Sequence, residues 1–189
     1  MASAWKRLRD VVLTAAILAL LGLVALRLGD GGAEPISGHA RAADGDTLTW
    51  NDTRVRLIGI DTPELAQTCR RDGAEWRCGM AARARMAELL KRSAVSCSTR
   101  GKDRFGRILA YCRTDEGDLG QRMVREGLAI AYGDYELEES MAQAERRGLW
   151  AGEFERPQDW RRLNGRPPEE PHQAGNGFVS NLLRMAGFD

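Results

Sequence analysis

Between Asp44 and Glu64 the chain reads DGDTLTWNDTRVRLIGIDTPE. Two alternating runs, DTLTW and RVRLIGI, flank the turn residues Asn51-Asp52-Thr53, which is the pattern of an antiparallel hairpin. Thr62-Pro63 ends the second run, because proline donates no backbone hydrogen bond and holds the preceding residue extended. The same stretch carries Asp46, Arg56, Asp61 and Glu64. Carboxylates and an arginine beside core strands are costly unless they are paired, bound to metal or used in chemistry. They form either a salt-bridged barrel rim or a metal and phosphate site.

The flanking sequence narrows the fold. ISGHARAAD begins a strand before the hairpin, and Leu65 to Cys78 reads as loop. GMAARARMAELLKR is a helix whose apolar stripe is Ala82, Met86, Leu89 and Leu90. AVSCSTR and GRILAYC are two more strands, joined by GKDRF. DLGQRMVREG gives a short helix with Leu119, Met123 and Val124 inward and Gly127 as its stop. ELEESMAQAERRGLW gives another, with Leu137, Met141 and Ala144 at helical spacing. Three strands, a helix, two strands and then helices predict a mainly β fold with α elements, a five-stranded Greek-key barrel of the OB type with packed helices. After Trp160 the composition turns to Pro, Gly and charge, the signature of disorder. Within that tail FVSNLLRMAGF has the spacing of a short amphipathic helix, with Phe178, Leu182 and Met185 on one side. The expected organisation is an N-terminal signal-anchor and linker over 1–33, the barrel domain over 34–152, and a partly disordered extension over 153–189.

The N-terminus has a separate role. Lys6, Arg7 and Arg9 precede an uninterrupted apolar run from Val11 to Leu26. As a helix that run spans about 24 Å, slightly less than the usual transmembrane length of about 20 residues requires. The preceding positive charge predicts a cytoplasmic N-terminus and an extracytoplasmic domain, anchored in the inner membrane by this transmembrane helix. The alternative is secretion after cleavage of a signal near Gly31 to Ala33. Cys69, Cys78, Cys97 and Cys112 lack the CxxC pairing of a zinc site. Four cysteines in an exported domain favour disulfides, and sequence neighbours are favoured: Cys69 with Cys78, and Cys97 with Cys112 across a hairpin.

The formal net charge of +1 argues against binding nucleic acid by bulk charge alone. It leaves room for an enzyme that grips one phosphate. Only two histidines are present, His39 and His172, and neither has a nucleophile close by in sequence. The hairpin brings Asp46 and Asp61 back beside each other, so the two can share a hard cation such as calcium, with a backbone oxygen from Thr62. Strict alternation would put Arg56 and Asp61 on opposite faces, so the strand must bend near Gly59 or curve with the barrel. Arg107, at the head of the last strand, pairs with Arg56 as a second guanidinium for one phosphate.

Taken together, DGDT, RLIGIDTPE, DRFGRILAY and RRGLW resemble the staphylococcal nuclease (thermonuclease) family, over roughly His39 to Trp150. The resemblance implies an OB barrel with helices and calcium-dependent attack of water on phosphodiesters of DNA and RNA, leaving 3′-phosphate ends. It implies that Asp46, Asp61 and the Thr62 carbonyl hold the calcium. It implies that Arg56 and Arg107 bind phosphate and that Glu64 is the general base. Phe105 stands where the family often has tyrosine. Arg104, Tyr132 and Tyr135 are candidates for substrate contact, the tyrosines either stacking on bases or simply packing. The expected partner is single-stranded DNA or RNA, met by a monomer. The rival reading is a non-catalytic binding module of the cell envelope, since fold alone does not fix activity.

Overall fold

The computed structural model describes residues 2–29 and 35–167. The chain divides into two units, Met1–Ala33 and Glu34–Asp189. In the first, helix α1 runs from Ala2 to Gly29, unbroken because its sequence has no proline and one interior glycine before its end. Its apolar residues, Val11, Leu13 and Leu18 among them, are exposed. Among the described residues no helix is long and apolar enough to cross a membrane. The expected transmembrane span is therefore corrected: the 16-residue run Val11 to Leu26, which includes Thr14 and Gly22, covers about 24 Å against a hydrocarbon core of about 30 Å.

The second unit is a curled sheet, a half-barrel, with helices packed against it. Strands β1 (Ile36–Gly38), β2 (Arg41–Ala42), β3 (Thr47–Trp50) and β4 (Thr53–Leu57) come first, and β5 (Ile60–Asp61) follows a break. A separate small hairpin, β6 (Cys69–Arg71) and β7 (Ala74–Trp76), comes next. Helix α2 (Cys78–Lys91) then leads to β8 (Val95–Lys102) and β9 (Ile108–Thr114), with β10 (Gly117–Asp118) folded back onto β9. The sheet order is β1-β8-β9-β4-β3-β2, so with β10 it holds seven short strands where five were expected. β4 and β9 run parallel, and α2 lies within the crossover that a parallel pair requires. Asn51 makes the β3–β4 turn with φ 49°, a left-handed conformation that asparagine tolerates.

The core is wider than strict alternation selects, since β4 is buried at Val55, Arg56 and Leu57 in succession. Leu48, Val55 and Leu57 from the hairpin meet Ala82, Met86, Leu89 and Leu90 from α2. Helix α3 (Leu119–Arg125) adds Leu119, Met123 and Val124. Asp118 caps α3 by accepting from the Gln121 amide at 2.8 Å. Two expectations are corrected. The stretch from Leu65 to Cys78 is not all loop, since it contains the β6–β7 hairpin. Helix α4 (Glu136–Ala144) stops at Ala144 and buries only Ala142, while Leu137 and Met141 are exposed. The positive φ of Arg146 and Gly148 breaks the helical register, and a 3-10 turn, Gly148–Ala151, replaces the expected last turns.

Both cysteine pairs are disulfides, Cys69–Cys78 and Cys97–Cys112. Cys97 lies opposite Cys112 in the β8–β9 register, while Cys69–Cys78 ties β6 to the first residue of α2. The chain beyond residue 152 continues onto this body. Glu153 and Arg70 exchange backbone hydrogen bonds of 2.9 Å, and α5 (Pro157–Leu163) follows with proline in its first turn. The expectation of disorder immediately after Trp160 is thus corrected: α5 includes Arg161, which is buried. The helix expected around Phe178 lies outside the described residues.

Candidate active site

The β3–β4 register sets Thr47 opposite Arg56, and the Leu57 amide donates to the Asp46 carbonyl at 2.8 Å. Asp46 therefore lies against Arg56. Past Leu57 the strand breaks at Gly59, whose φ of 82° is open to glycine but not to side-chain-bearing residues without strain. The break re-aims Ile60 and Asp61, which pair instead with β11 (Ile130–Ala131). It resolves the parity conflict: Arg56 reaches both acids. Its Nη1 donates to Asp46 Oδ1 at 2.7 Å and its Nη2 to Asp61 Oδ1 at 3.2 Å. Thr62 donates through its amide and its hydroxyl to Asp46 Oδ2, at 3.2 and 2.9 Å. All four residues are buried.

Glu64 is held by its backbone. Its amide donates to Gln67 Oε1 at 3.2 Å, and its carbonyl accepts from the Gln67 amide at 2.7 Å. Gly79, in the first turn of α2, packs directly on that carbonyl: a Cβ there would fall 1.8 Å from the Glu64 oxygen. The carboxylate meets two arginines that sequence reasoning missed. Arg161 Nη1 donates to Glu64 Oε1 at 3.1 Å, and Arg166 Nη1 to Glu64 Oε2 at 2.7 Å. Arg161 also grips Asp61 with both terminal nitrogens, Nη1 to Oδ1 at 3.0 Å and Nη2 to Oδ2 at 2.8 Å. The signal for it was the helix start in RPQDWRR, proline followed by an acid in the first turn. The Pro- and Gly-rich composition of the following tail hid it.

Arg107 arrives from the β8–β9 turn. Asp103 accepts from the Arg107 amide at 2.9 Å and from its Nε at 2.6 Å, fixing the side chain. Phe105 lies under the guanidinium groups of Arg104 and Arg107, 4.8 and 5.4 Å from ring centre. A cleft of about 430 Å³ is lined by Asp46, Arg56, Thr62, Glu64, Arg107 and Arg161, among others. Asp61, fully buried, adjoins this cleft through Arg56 and Arg161. Tyr132, Tyr135 and Arg104 are not among the lining residues. The Tyr135 ring sits against Gly59 and Gly120, and its hydroxyl donates to Asp118 at 3.0 Å, the contacts of a packing residue. Tyr132 donates its amide to the Gly59 carbonyl at 2.8 Å.

The acids respond differently to this setting. Burial and then the neighbouring Asp46 charge push the Asp44 carboxyl up to about 7. Burial lifts Asp61 to about 6, against the opposing hydrogen bond and charge of Arg161 and the charge of Arg56. Burial acts the same way on Asp46, but the Arg56 charge and the bonds from Asp44 and Thr62 prevail and hold it below the usual carboxylate range. Among the described residues no group of three or more His, Cys, Asp or Glu is gathered around one point. Two carboxylates converge on a single guanidinium, and Thr62 follows directly with a backbone carbonyl. Oxygen is the donor type that a hard divalent cation takes, and here all four oxygens of the two carboxylates accept hydrogen bonds from Arg56, Arg161, Thr47 or Thr62.

The family model described as staphylococcal nuclease homologue matches residues 54–152. Micrococcal nuclease of Shigella flexneri is 32% identical over 146 residues, covering 66% of this chain and 79% of that protein. An uncharacterized endonuclease of Haemophilus influenzae is 31% identical over 134 residues, 65% of this chain and 70% of its own. The succinoglycan biosynthesis protein ExoI of Rhizobium meliloti is 32% identical over 150 residues, 75% of this chain and 78% of its own.

Proposed function

The chain belongs to the staphylococcal nuclease family, and on that premise we propose that it is a calcium-dependent nuclease hydrolysing phosphodiester bonds of single-stranded DNA or RNA outside the cytoplasm. The observation that carries this reading is the cleft itself. It collects Arg56, Glu64 and Arg107, drawn from the hairpin, the turn after it and a strand head 51 positions from Arg56, and sets them beside Asp46 and Thr62.

Arg107, oriented by Asp103, faces the cleft as a donor for the non-bridging oxygens of one phosphate. Arg56 ties the two aspartates together and adds its charge to the same side. Glu64, fixed by Gln67 and by Gly79, takes the proton of the attacking water. Asp46, Asp61 and the Thr62 carbonyl would hold the calcium. Bound there, calcium supplies positive charge that offsets the charge developing on phosphate. The products expected from the family carry 3′-phosphate ends. Two disulfides in a domain of this size support an oxidising compartment, with α1 as the segment directing export.

A second reading is a non-catalytic envelope module, since fold alone does not fix activity and one relative is named for succinoglycan biosynthesis and not as a nuclease. The two separate on cleavage itself, because a non-catalytic module leaves single-stranded DNA intact with calcium present. In the nuclease reading Glu64→Gln and Arg107→Lys each lower turnover on single-stranded DNA by about 100-fold or more while the protein stays folded. Wild-type rates in both variants would mean that Glu64 is not the base and that Arg107 is not a phosphate donor.

A further inference from the structure

We infer that Arg161, supplied by α5 beyond the matched family region, is a positioning residue that holds the base Glu64 and the cation-binding Asp61 in one arrangement. The inference rests on the nuclease reading and deepens it. Residues 54–152 match the family model, so Arg161 lies outside that match. It is nevertheless 3% exposed and bonds both carboxylates, Asp61 through Nη1 and Nη2 and Glu64 through Nη1. One planar guanidinium thus fixes the spacing and relative tilt of two acids three residues apart. Without it Glu64 would keep Arg166, which is far more exposed, its side chain 55% accessible.

The anchoring of α5 separates positioning from obstruction. A releasable plug should sit on a loose, solvated segment. The approach to Arg161 is instead pinned twice by backbone: Glu153 pairs with Arg70, and the Glu155 carbonyl accepts from Gln67 Nε2 at 2.7 Å. Gln67 is itself fully buried and is the residue that holds the Glu64 backbone. Pro157 is buried at the first turn of α5. One structural unit therefore fixes both the main chain of Glu64, through Gln67, and its carboxylate, through Arg161. A shift of about 1 Å in such a group is enough to cost about 100-fold in rate.

The test uses the full chain with Arg161→Lys and Arg161→Met. Lysine keeps the buried charge but has a single ammonium in place of the planar fork. Three readouts are taken: kcat and KM on a single-stranded oligonucleotide, calorimetric titration with calcium, and the urea midpoint in chelator. The expected result is a fall in kcat of about 10-fold for lysine and about 100-fold for methionine, with KM within about 3-fold. Calcium affinity does not tighten. The urea midpoint shifts of Arg161→Met and Glu64→Gln do not add in the double variant. If the methionine variant fails to fold, the lysine variant carries the same comparison. Unchanged kcat in a folded lysine variant overturns the positioning role. Calcium binding tightened by about 10-fold with kcat kept or raised also overturns it, and makes Arg161 an obstruction. A wild-type protein that cleaves nothing with calcium overturns the nuclease reading, and this role with it.

Discussion

Replacing Arg56 with methionine removes the charge that links the two aspartates. Arg56 has a side chain only 5% exposed, facing Asp46 at 3% and Asp61 at 0%. Breaking a buried ion pair by removing one partner typically costs about 3–5 kcal/mol, because the other charge stays buried. Here Asp61 keeps both bonds from Arg161, and Asp46 keeps those from Thr62 and Thr47. The loss is therefore expected at the lower end, about 3 kcal/mol, still a large part of the 5–15 kcal/mol that is typical of a domain. Its pH dependence follows from both acids: the Arg56 charge opposes the burial that lifts Asp61 to about 6, and against burial it helps hold the Asp46 carboxyl down. A depressed folded value contributes stability above the unfolded value, about 3.9, and loses it as pH falls below. The assay is urea unfolding followed by circular dichroism, in chelator, near pH 7 and near pH 3. The variant should lose about 3 kcal/mol near pH 7 and approach the wild type near pH 3. A loss under about 1 kcal/mol at neutral pH, or an equal loss at both, refutes the reasoning.

Two further perturbations are as direct. Replacing Cys97 and Cys112 together by serine opens a loop with a sequence separation of 15 and should cost about 3 kcal/mol in urea unfolding; no measurable loss would remove the bridge from the stability account. Asp44→Asn should stabilise the protein at pH 8 and leave it unchanged near pH 3. The raised Asp44 carboxyl, 3.8 to about 7, gives stability below the unfolded value that is lost as pH rises through the folded one. The relief has an upper limit of about 4 kcal/mol at about 1.36 kcal/mol per unit. Asparagine keeps the oxygen that accepts from the Asp46 and Thr47 amides. A variant no more stable than wild type at pH 8 in thermal melts contradicts this.

The hairpin and helix α2 were legible because their signals are local and agree with one another. Alternation placed Leu48, Val55 and Leu57 inward, helical spacing placed Ala82 and Met86, and Thr62-Pro63 marked the end of the strand. Pairing alone does not join the two acids: Asp46 lies opposite Leu57, and it is the bend at Gly59 that brings Asp61 to the same guanidinium. Helix α4 was misjudged because Leu137 and Met141 satisfy a period that ends at Ala144; the left-handed Arg146 carries no sequence mark. The span expected of α1 rested on its apolar run from Val11 to Leu26, which is shorter than the usual transmembrane length. The start of α5 carries a sequence signal, but the ion pairs of Arg161 do not. Its partners lie 97 and 100 positions away, and nothing local in RRLNGRP signals a buried salt bridge. The pairing depends on how α5 docks, which composition does not encode.

The proposed calcium-dependent cleavage of phosphodiester bonds at the cleft around Glu64 is read by incubating the purified protein with end-labelled single-stranded DNA, with calcium and with chelator, and mapping the product ends. The expected result is cleavage that requires calcium, leaves 3′-phosphate ends and is lost in Glu64→Gln. Folded protein that binds the oligonucleotide and leaves it intact at every calcium concentration would contradict the claim.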